Sequence, residues 1–220
     1  MNTTMNSDSE RKAPTEAPGS YLLPLKTFPE RPTSPHLFAG KPAVFVDRDG
    51  VVVSNVTRSD GTIGSPRTQD ELEMLSTFPN FARAAHEAGY ALVIVTNQPD
   101  IARGHLDPYT YAKMNEYLIS QVPELDAIYA CPHDTADNCT CRKPRPGLIK
   151  SAISDLSLRV TDSWMIGDRS SDIEAGAAIP LRSICLPTQT IGQLPTRTCK
   201  AAVPHIHANE LGEALAIITH

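Results

Sequence analysis

The strongest constraint on the fold is an alternation, from Lys41 onward, of short apolar runs with helix-like segments. The apolar runs predict five strands, at 43–47, 91–95, 127–130, 164–167 and 183–186. Helical patterns lie between successive strands, at 79–88, 107–120, 146–156 and 170–178. Strands that alternate with helices form a parallel sheet with right-handed crossovers, and their carboxyl ends share one edge. We therefore predict an α/β fold with its ligand site at that edge.

The two ends of the chain differ from this central pattern. Residues 1–40 are rich in Ser, Thr, Pro and charge, and their prolines are spaced too closely for a helix. This composition predicts a mostly disordered tail, followed by one domain over residues 41–220. Near the other end, a short sixth strand is expected at 203–206 and a closing helix at 208–218.

The composition of the chain limits the kinds of molecule that the protein can bind. The chain has 220 residues, of which 40% are hydrophobic, and a net charge of −5. An acidic protein lacks a general surface for nucleic acid or anionic membranes, so an anionic substrate would need a local basic site. No apolar run approaches the roughly 18 residues of a membrane span, and the N-terminus lacks the pattern of a signal peptide. We expect a soluble, cytoplasmic monomer that acts on a small molecule.

Two carboxylates, Asp47 and Asp49, come directly after the apolar run 43–46 of the first predicted strand, within Asp47-Arg48-Asp49-Gly50. They should lie where the strand ends and backbone amides become free. Two neighbouring acids can share a hard cation such as magnesium, and one can attack as a nucleophile while the other transfers protons. Asp-Gly turns after strands are also common, so the tetrapeptide alone leaves a purely structural turn open.

Polar residues follow the other predicted strands as well. Thr96 and Asn97 follow the second strand, Cys131 the third and Asp168 the fourth. Because the strand ends share an edge, these residues should converge with Asp47. Thr96 and Asn97 offer hydroxyl and amide groups suited to phosphate oxygens, and Asp168 offers a further oxygen ligand for the cation.

A group of basic residues supplies local positive charge. Arg142 and Lys143 follow a cysteine-rich loop, and Arg103 and Arg145 are expected nearby. Arg can clamp an anionic group with two hydrogen bonds, and Lys acts as a point charge. Asp172 either supports this site or acts structurally in the first turn of a helix.

Together these residues resemble the motifs of the haloacid dehalogenase superfamily of phosphotransferases. The four motifs read Asp47-Arg48-Asp49-Gly50-Val51, Thr96, Lys143, and Gly167-Asp168 with Asp172. The resemblance covers roughly residues 43–186. It implies a Rossmann-like three-layer sandwich whose central parallel sheet has the strand order 5-4-1-2-3.

The resemblance also implies a mechanism. Asp47 would attack phosphorus to give an aspartyl phosphate, and Asp49 would protonate the leaving oxygen and later activate water. Magnesium would be held by Asp47, the backbone carbonyl of Asp49 and Asp168. Thr96 and Lys143 would hold the transferring phosphoryl oxygens.

The cysteine-rich loop has the spacing of a metal site. Cys131, His133, Cys139 and Cys141 place three sulfurs and one imidazole within eleven residues, which is sufficient for closed tetrahedral zinc. A closed site is structural, and its role would be to fold a loop that has few apolar residues. Reduced thiols without a metal are the alternative.

This loop, followed by Arg142-Lys143-Pro144, resembles the heptose bisphosphate phosphatases and the related histidinol phosphatases, which have it in place of a large cap domain. Thr96-Asn97-Gln98 and the segment around Arg103 resemble the heptose enzymes, in which the positions of Arg142 and Arg169 contact substrate. The predicted phosphate- and substrate-binding residues are therefore Thr96, Asn97, Arg103, Arg142, Lys143 and Arg169.

The sequence departs from the heptose pattern at three places. Pro99-Asp100 stands where a Ser-Gly pair is usual, Arg169 replaces a more typical Lys, and an insertion around residues 59–67 changes the flap after Gly50. Flap residues contact the leaving group, so these changes affect substrate identity. We predict a magnesium-dependent phosphatase acting on heptose bisphosphate at its 7-phosphate. The alternatives are a histidinol-phosphate phosphatase and an inactive, zinc-stabilised binding module.

Overall fold

The computed structural model describes residues 25–30, 37–201, 203 and 205–220. The strands among them are β1 (Leu25–Thr27), β2 (Pro42–Val46), β3 (Val56–Thr57), β4 (Ile63–Gly64), β5 (Ala91–Asn97), β6 (Leu125–Cys131), β7 (Arg159–Gly167), β8 (Arg182–Cys185) and β9 (Ile206–His207). Seven of these described strands form one sheet with the order β1-β6-β5-β2-β7-β8-β9, and β3 pairs with β4 in a separate hairpin. Every pairing in the large sheet is parallel except that of β1 with β6.

Helices cover both faces of the sheet. They are α1 (Phe78–Glu87), α2 (Pro99–Ala102), α3 (Pro108–Gln121), α4 (Gly147–Leu156), α5 (Ser170–Ala177) and α6 (Leu211–Thr219). Val44 and Val46 of β2 pack with α1, α3 and α6, whereas Ala43 and Phe45 pack with α4 and α5. Because β2 is buried on both faces, its sequence is continuously apolar rather than alternating. None of the described helices is long and apolar enough to cross a membrane.

The predicted α/β fold without a large cap domain is confirmed. The five strands predicted from the sequence correspond to β2, β5, β6, β7 and β8, which lie side by side in the order β8-β7-β2-β5-β6. Between β2 and α1 the chain forms loops and the small β3–β4 hairpin rather than a domain. The closing helix begins at Leu211 rather than at residue 208. The sixth strand, predicted at 203–206, corresponds to the two-residue strand β9, Ile206–His207.

Strand β1 lies in the segment that the sequence predicts as a disordered tail. It pairs antiparallel with β6, and Leu25 lies opposite Ala130. Lys26 Nζ lies 2.6 Å from Asp155 Oδ2. The prediction was wrong for residues 25–27, because a short strand added to an existing sheet edge needs no apolar pattern of its own. Residues 1–24 and 31–36 of the predicted tail lie outside the described residues.

Candidate active site

Asp47 and Asp49 occupy the end of the central strand. Asp47 directly follows β2, and its backbone N–H donates to Ile166 O of β7 (2.9 Å). The turn then passes close to Asp168: Gly50 has φ +90°, and a Cβ there would lie 2.7 Å from Asp168 Oδ2. Glycine is therefore needed at position 50 for both its backbone conformation and its small size.

Lys143 lies directly beside Asp47. Its Nζ is 2.8 Å from Asp47 Oδ1 and 2.6 Å from Asp172 Oδ1, and it donates to Val95 O at 2.7 Å. Burial disfavours the charged amine, but the carboxylates of Asp172 and Asp47 outweigh it and hold the pKa of Lys143 above its ordinary value. Lys143 is therefore a fixed positive charge at the strand end.

Asn97, predicted to bind substrate, is engaged with the backbone of Lys143. Its Nδ2 donates to Lys143 O and its Oδ1 accepts from Lys143 N, each at 3.0 Å. This two-way contact joins the end of β5 to the segment that carries the lysine. Asn97 lines the cavity above the strand ends, and its amide fixes the position of Lys143.

Asp47, Asp168 and Asp172 form a buried acidic cluster, whose carboxylate oxygens lie within 4.8 Å of one another. Burial, together with repulsion from Asp172, raises the pKa of Asp47 to about 6. Burial and the charges of Asp47 and Asp172 raise the pKa of Asp168 to about 7. Asp172 also accepts the backbone N–H of Arg169 (3.0 Å), so it serves both the cluster and the start of α5.

The donor set of this cluster fits a hard divalent cation. Thr188 Oγ1 donates to Asp168 Oδ2 (2.6 Å), whereas Asp168 Oδ1 is buried and has no hydrogen-bond partner among the residues that the structure describes. An unpartnered, buried carboxylate oxygen is costly unless a cation or proton satisfies it. Three carboxylates around one point supply the all-oxygen coordination that magnesium prefers.

Asp49 directs its side chain away from that cluster. Its Oδ1 accepts from Arg48 Nε (2.9 Å). Its Oδ2 accepts from Gln98 Nε2 (2.6 Å) and Ser65 Oγ (2.9 Å), with Thr96 Oγ1 at 3.4 Å. The two predicted catalytic carboxylates therefore have different surroundings: Asp47 faces a lysine and other acids, and Asp49 faces neutral donors and a buried arginine.

A cavity of about 790 Å³ opens above these residues. Six arginines among the described residues line it: Arg58, Arg67, Arg103, Arg142, Arg145 and Arg169. Three of them bind acids, since Arg58 pairs with Glu71, Arg67 with Asp100, and Arg103 with Asp134.

The other three arginines are uncompensated in the sense that no acid among the described residues lies within ion-pair distance of them, although Asp168 and its neighbours act on the charge of Arg169 from farther away. Arg142, Arg145 and Arg169 form no side-chain ion pair within 4.0 Å in the described part of the chain. The prediction placed Arg103 in this group, but its guanidinium makes two hydrogen bonds to Asp134 (2.9 and 2.7 Å). Hydrogen bonds from the Arg103 guanidinium lower the pKa of Asp134 to about 2.

The four residues of the cysteine-rich loop come together as a second potential metal site. The three sulfurs lie 3.3 to 3.6 Å apart, and His133 Nδ1 lies 3.4 Å from Cys131 Sγ and 3.2 Å from Cys141 Sγ. A tetrahedral zinc with bonds of about 2.3 Å to sulfur would place its ligands about 3.8 Å apart. Hydrogen bonds from Cys131, Cys139 and His133 lower the pKa of Cys141 to about 5. The geometry fits a compact tetrahedral site.

This cysteine-rich loop also holds two of the uncompensated arginines. Arg142 Nη1 donates to His133 O (3.2 Å). Arg145 donates to Cys139 O, and its Nη2 donates to Asn138 Oδ1 at 2.9 Å. The fold of the loop therefore determines where these positive charges stand at the mouth of the cavity.

The structure adds functional candidates that the sequence did not single out. Gln98 and Ser65 contact Asp49, Thr188 contacts Asp168, and Arg58 and Arg67 line the cavity from the flap. Gln98 ends the triplet Thr96-Asn97-Gln98, so its position at a strand end was an available indication. Ser65, Arg58 and Arg67 lie in the insertion, where no regular pattern indicates which side chains point inward.

The arrangement fits a phosphatase active site on a parallel α/β sheet. The chain is similar in sequence to a family model and in fold to a solved structure. Residues 140–214 match a family model described as HAD-hydrolase-like. The fold is similar to that of a D,D-heptose 1,7-bisphosphate phosphatase from B. bronchiseptica solved with magnesium and phosphate, with a TM-score of 0.65 and 24% identity over 80% of this chain and 97% of the other.

Curated relatives specify the class further. The chain is 37% identical to the D-glycero-beta-D-manno-heptose-1,7-bisphosphate 7-phosphatase of Photorhabdus laumondii, over 62% of this chain and 74% of the relative. It is 33% identical to the enzyme of the same name from Helicobacter pylori, over 67% of this chain and 83% of the relative. The chain belongs to the family of haloacid dehalogenase-like phosphatases that includes these two proteins.

Proposed function

We propose that this protein is a magnesium-dependent phosphatase that removes the 7-phosphate from D-glycero-D-manno-heptose 1,7-bisphosphate. The observation that carries the proposal is the placement of Asp47 at the base of an arginine-lined cavity, 2.8 Å from a buried lysine and within an acidic cluster. This set of groups serves nucleophilic attack on a phosphate, and a binding module would not need it.

Residues of this chain account for each chemical step. Asp47 forms a bond to phosphorus as the bond from phosphorus to the sugar oxygen breaks, and Asp49 gives its proton to that oxygen. Asp49 then takes a proton from water, which attacks phosphorus and releases Asp47 and inorganic phosphate. Lys143, with Thr96 near the same strand ends, stabilises the charge on the transferring group.

Magnesium would be held by Asp47 and Asp168, with the backbone carbonyl of Asp49 as a further ligand. Asp172 lies close enough to the cluster to orient these ligands or the water around them. When bound, the cation would offset the repulsion between the attacking carboxylate and the phosphate. The unpartnered Asp168 Oδ1 supports this assignment.

The three uncompensated arginines favour a substrate that carries a second anionic group. Arg142 and Arg169 were predicted to bind substrate, and Arg145 joins them at the mouth of the cavity. A bisphosphate presents its remaining phosphate to these charges, and Arg binds phosphate through two hydrogen bonds. Histidinol phosphate presents a cationic amine instead, which the same arginines would repel. The names of the curated relatives agree with the bisphosphate.

We further propose that the cysteine-rich loop binds structural zinc through Cys131, His133, Cys139 and Cys141. Its four side chains leave no ligand position free for substrate in a tetrahedral site. Two further expectations from the sequence complete the proposal: the protein acts in the cytoplasm, and it acts as a monomer.

The proposed substrate is tested with a phosphate-release panel. Heptose 1,7-bisphosphate, histidinol phosphate and a simple hexose phosphate are compared by kcat/KM, with magnesium and after EDTA treatment. We expect the bisphosphate to exceed the other two by about 100-fold, since one well-placed arginine–phosphate contact contributes roughly 1.5–3 kcal/mol. A preference for histidinol phosphate would contradict the substrate assignment. Absence of magnesium-dependent release from every member would favour the binding-module alternative.

Asp168→Asn tests the acidic cluster without reference to substrate. The folded protein binds a proton at Asp168 more readily than the unfolded chain does, since burial and neighbouring acids raise this pKa to about 7. The stabilisation from that protonated form is present below pH ~4 and is lost as the pH rises through about 7. Without metal, the Asp168→Asn variant should therefore have a higher free energy of unfolding than the parent protein between pH 4 and 8. The difference should reach a few kcal/mol near pH 8.

Urea unfolding at several pH values measures this difference, and magnesium titration should show that the variant has lost most of its affinity. Asp162→Asn is the matched control. Asp162 is exposed, and Asn tolerates its positive φ as well as Asp does. Equal stability changes with pH in both variants would contradict the proposed cluster.

A further inference from the structure

The flap, defined as residues 54–67 and including β3 and β4, reaches the proton-transferring Asp49 through Ser65. Ser65 Oγ donates to Asp49 Oδ2 at 2.9 Å. The other close donors to this carboxylate, Arg48 and Gln98, are completely buried and lie at the ends of β2 and β5. Ser65 is only half-buried and belongs to the flap. Among the described donors to Asp49, it is therefore the one whose contact depends on the position of the flap.

Contacts of Arg58, Arg67 and Glu71 hold the backbone on both sides of Ser65. Arg58 donates to the backbone carbonyl of Ser65 and pairs with Glu71 (Nη1 to Oε1, 2.6 Å). The second oxygen of Glu71 accepts the backbone N–H of Arg67 at 2.7 Å. These contacts fix the chain on either side of Ser65 and direct its side chain into the cavity.

One ion pair ties this unit to the opposite wall of the cavity. Arg67 Nε lies 2.6 Å from Asp100 Oδ2, on the short helix after β5. Asp100 is 8% exposed, so the pair is shielded from solvent on one side and is stronger than an exposed pair would be. Arg67 and Asp100 come from two of the three places where the sequence departs from the heptose pattern, and here they contact each other.

The hydroxyl of Ser65 suits a carboxyl group that gives away a proton. Arg48 and the amide N–H of Gln98 only donate, so they match the ionised form of Asp49. A serine hydroxyl rotates, so it can accept from the protonated acid while the site is empty and donate to the same carboxyl group once the acid's proton points at the leaving oxygen. It therefore remains hydrogen-bonded before and after the proton moves from Asp49 to the leaving sugar oxygen.

We propose that Ser65 is a positioning residue for proton transfer to the leaving group, and that the Arg67–Asp100 ion pair places it by holding the flap against the opposite wall. The inference rests on the proposed phosphatase activity. As the bond from phosphorus to the sugar oxygen breaks, its electron pair stays on that oxygen and takes the proton of Asp49. Ser65 keeps its own proton and then donates a hydrogen bond to the ionised carboxylate.

The test compares two leaving groups. A sugar phosphate needs a proton on its departing oxygen, whereas p-nitrophenyl phosphate releases a stable anion and needs almost none. Ser65→Ala should lower kcat/KM by about 10- to 100-fold on the sugar phosphate and by less than about threefold on p-nitrophenyl phosphate. Ser65→Thr, which keeps the hydroxyl, should restore most of the loss. A merely structural role would lower both substrates alike.

Asp100→Asn tests the ion pair. It should reproduce the leaving-group pattern of Ser65→Ala to a smaller extent and accelerate hydrogen–deuterium exchange in residues 56–67. Glu116, which pairs with Lys113 on the exposed face of α3, provides the control Glu116→Gln. An inactive unmodified protein would refute the proposed function and this inference with it. An active protein in which Ser65→Ala affects both substrates equally, or neither, would refute the inference alone.

Discussion

Asp47→Asn is expected to abolish phosphate release while leaving the protein folded. The amide has the shape of the carboxylate but cannot attack phosphorus. Asp172 also lies beside Lys143 and lines the cavity, but its second oxygen accepts the backbone N–H of Arg169. We expect kcat to fall by at least about 10⁴-fold. The melting temperature should not decrease, because the substitution removes one of three crowded, buried acids and leaves Lys143 paired with Asp172.

Phosphate release, circular dichroism and zinc content should be measured on the same preparation of this variant. Asp162→Asn, at an exposed position, is the matched control and should retain full activity. Acid quenching of the unmodified enzyme during turnover, followed by mass spectrometry, should locate a phosphoryl group on the peptide that contains Asp47. Residual turnover above about one hundredth of the parent rate would exclude Asp47 as the nucleophile.

Cys139→Ser is expected to remove zinc and with it most of the activity, although Cys139 lies outside the group of residues that perform the chemistry. Serine is a poor zinc ligand, so the site would retain two sulfurs and one imidazole. Structural zinc contributes directly to folding, and we expect a loss on the order of 3 kcal/mol in unfolding free energy. The carbonyl groups that hold Arg142 and Arg145 belong to this loop.

Metal analysis, urea unfolding and kcat/KM should therefore change together in this variant. Cys199→Ser is the control, because Cys199 lies outside the cysteine-rich loop and is also partly buried. The activity loss should appear in both kcat and KM, since the loop precedes Lys143 and also places the arginines of the cavity mouth. A variant with unchanged zinc content and stability would show that the four residues do not form a metal site.

The framework of the site was predictable because it depends on strand ends. Asp47, Thr96, Cys131 and Asp168 each follow an apolar run that is long enough to indicate a strand. Parallel pairing of those strands then brings the residues to one edge, whatever the details of the loops. The cysteine-rich loop was predictable for a different reason, since its four ligands lie within eleven residues and need no long-range folding to meet.

Residues that depend on long-range pairing were not predictable in the same way. Arg103 lines the cavity and its role in binding substrate stays a prediction, but its pairing with Asp134, thirty-one residues away in sequence, was not foreseen. Ser65 and Arg67 belong to an irregular insertion whose contacts with Asp49 and Asp100 are set by the flap's tertiary position. Strand β1 was missed because pairing with a neighbour, and not its own composition, makes it a strand.

The two-way contact between Asn97 and the backbone of Lys143 joins two walls of the cavity directly to each other. On this side of the cavity, β5 and the cysteine-rich loop are joined by two hydrogen bonds and a buried lysine that reaches Val95 O. On the other side, the flap is attached to the facing wall through Arg67 and Asp100. Any opening of the cavity between the flap and α2 should therefore require the Arg67–Asp100 ion pair to break, whereas the wall formed by β5 and the cysteine-rich loop stays joined.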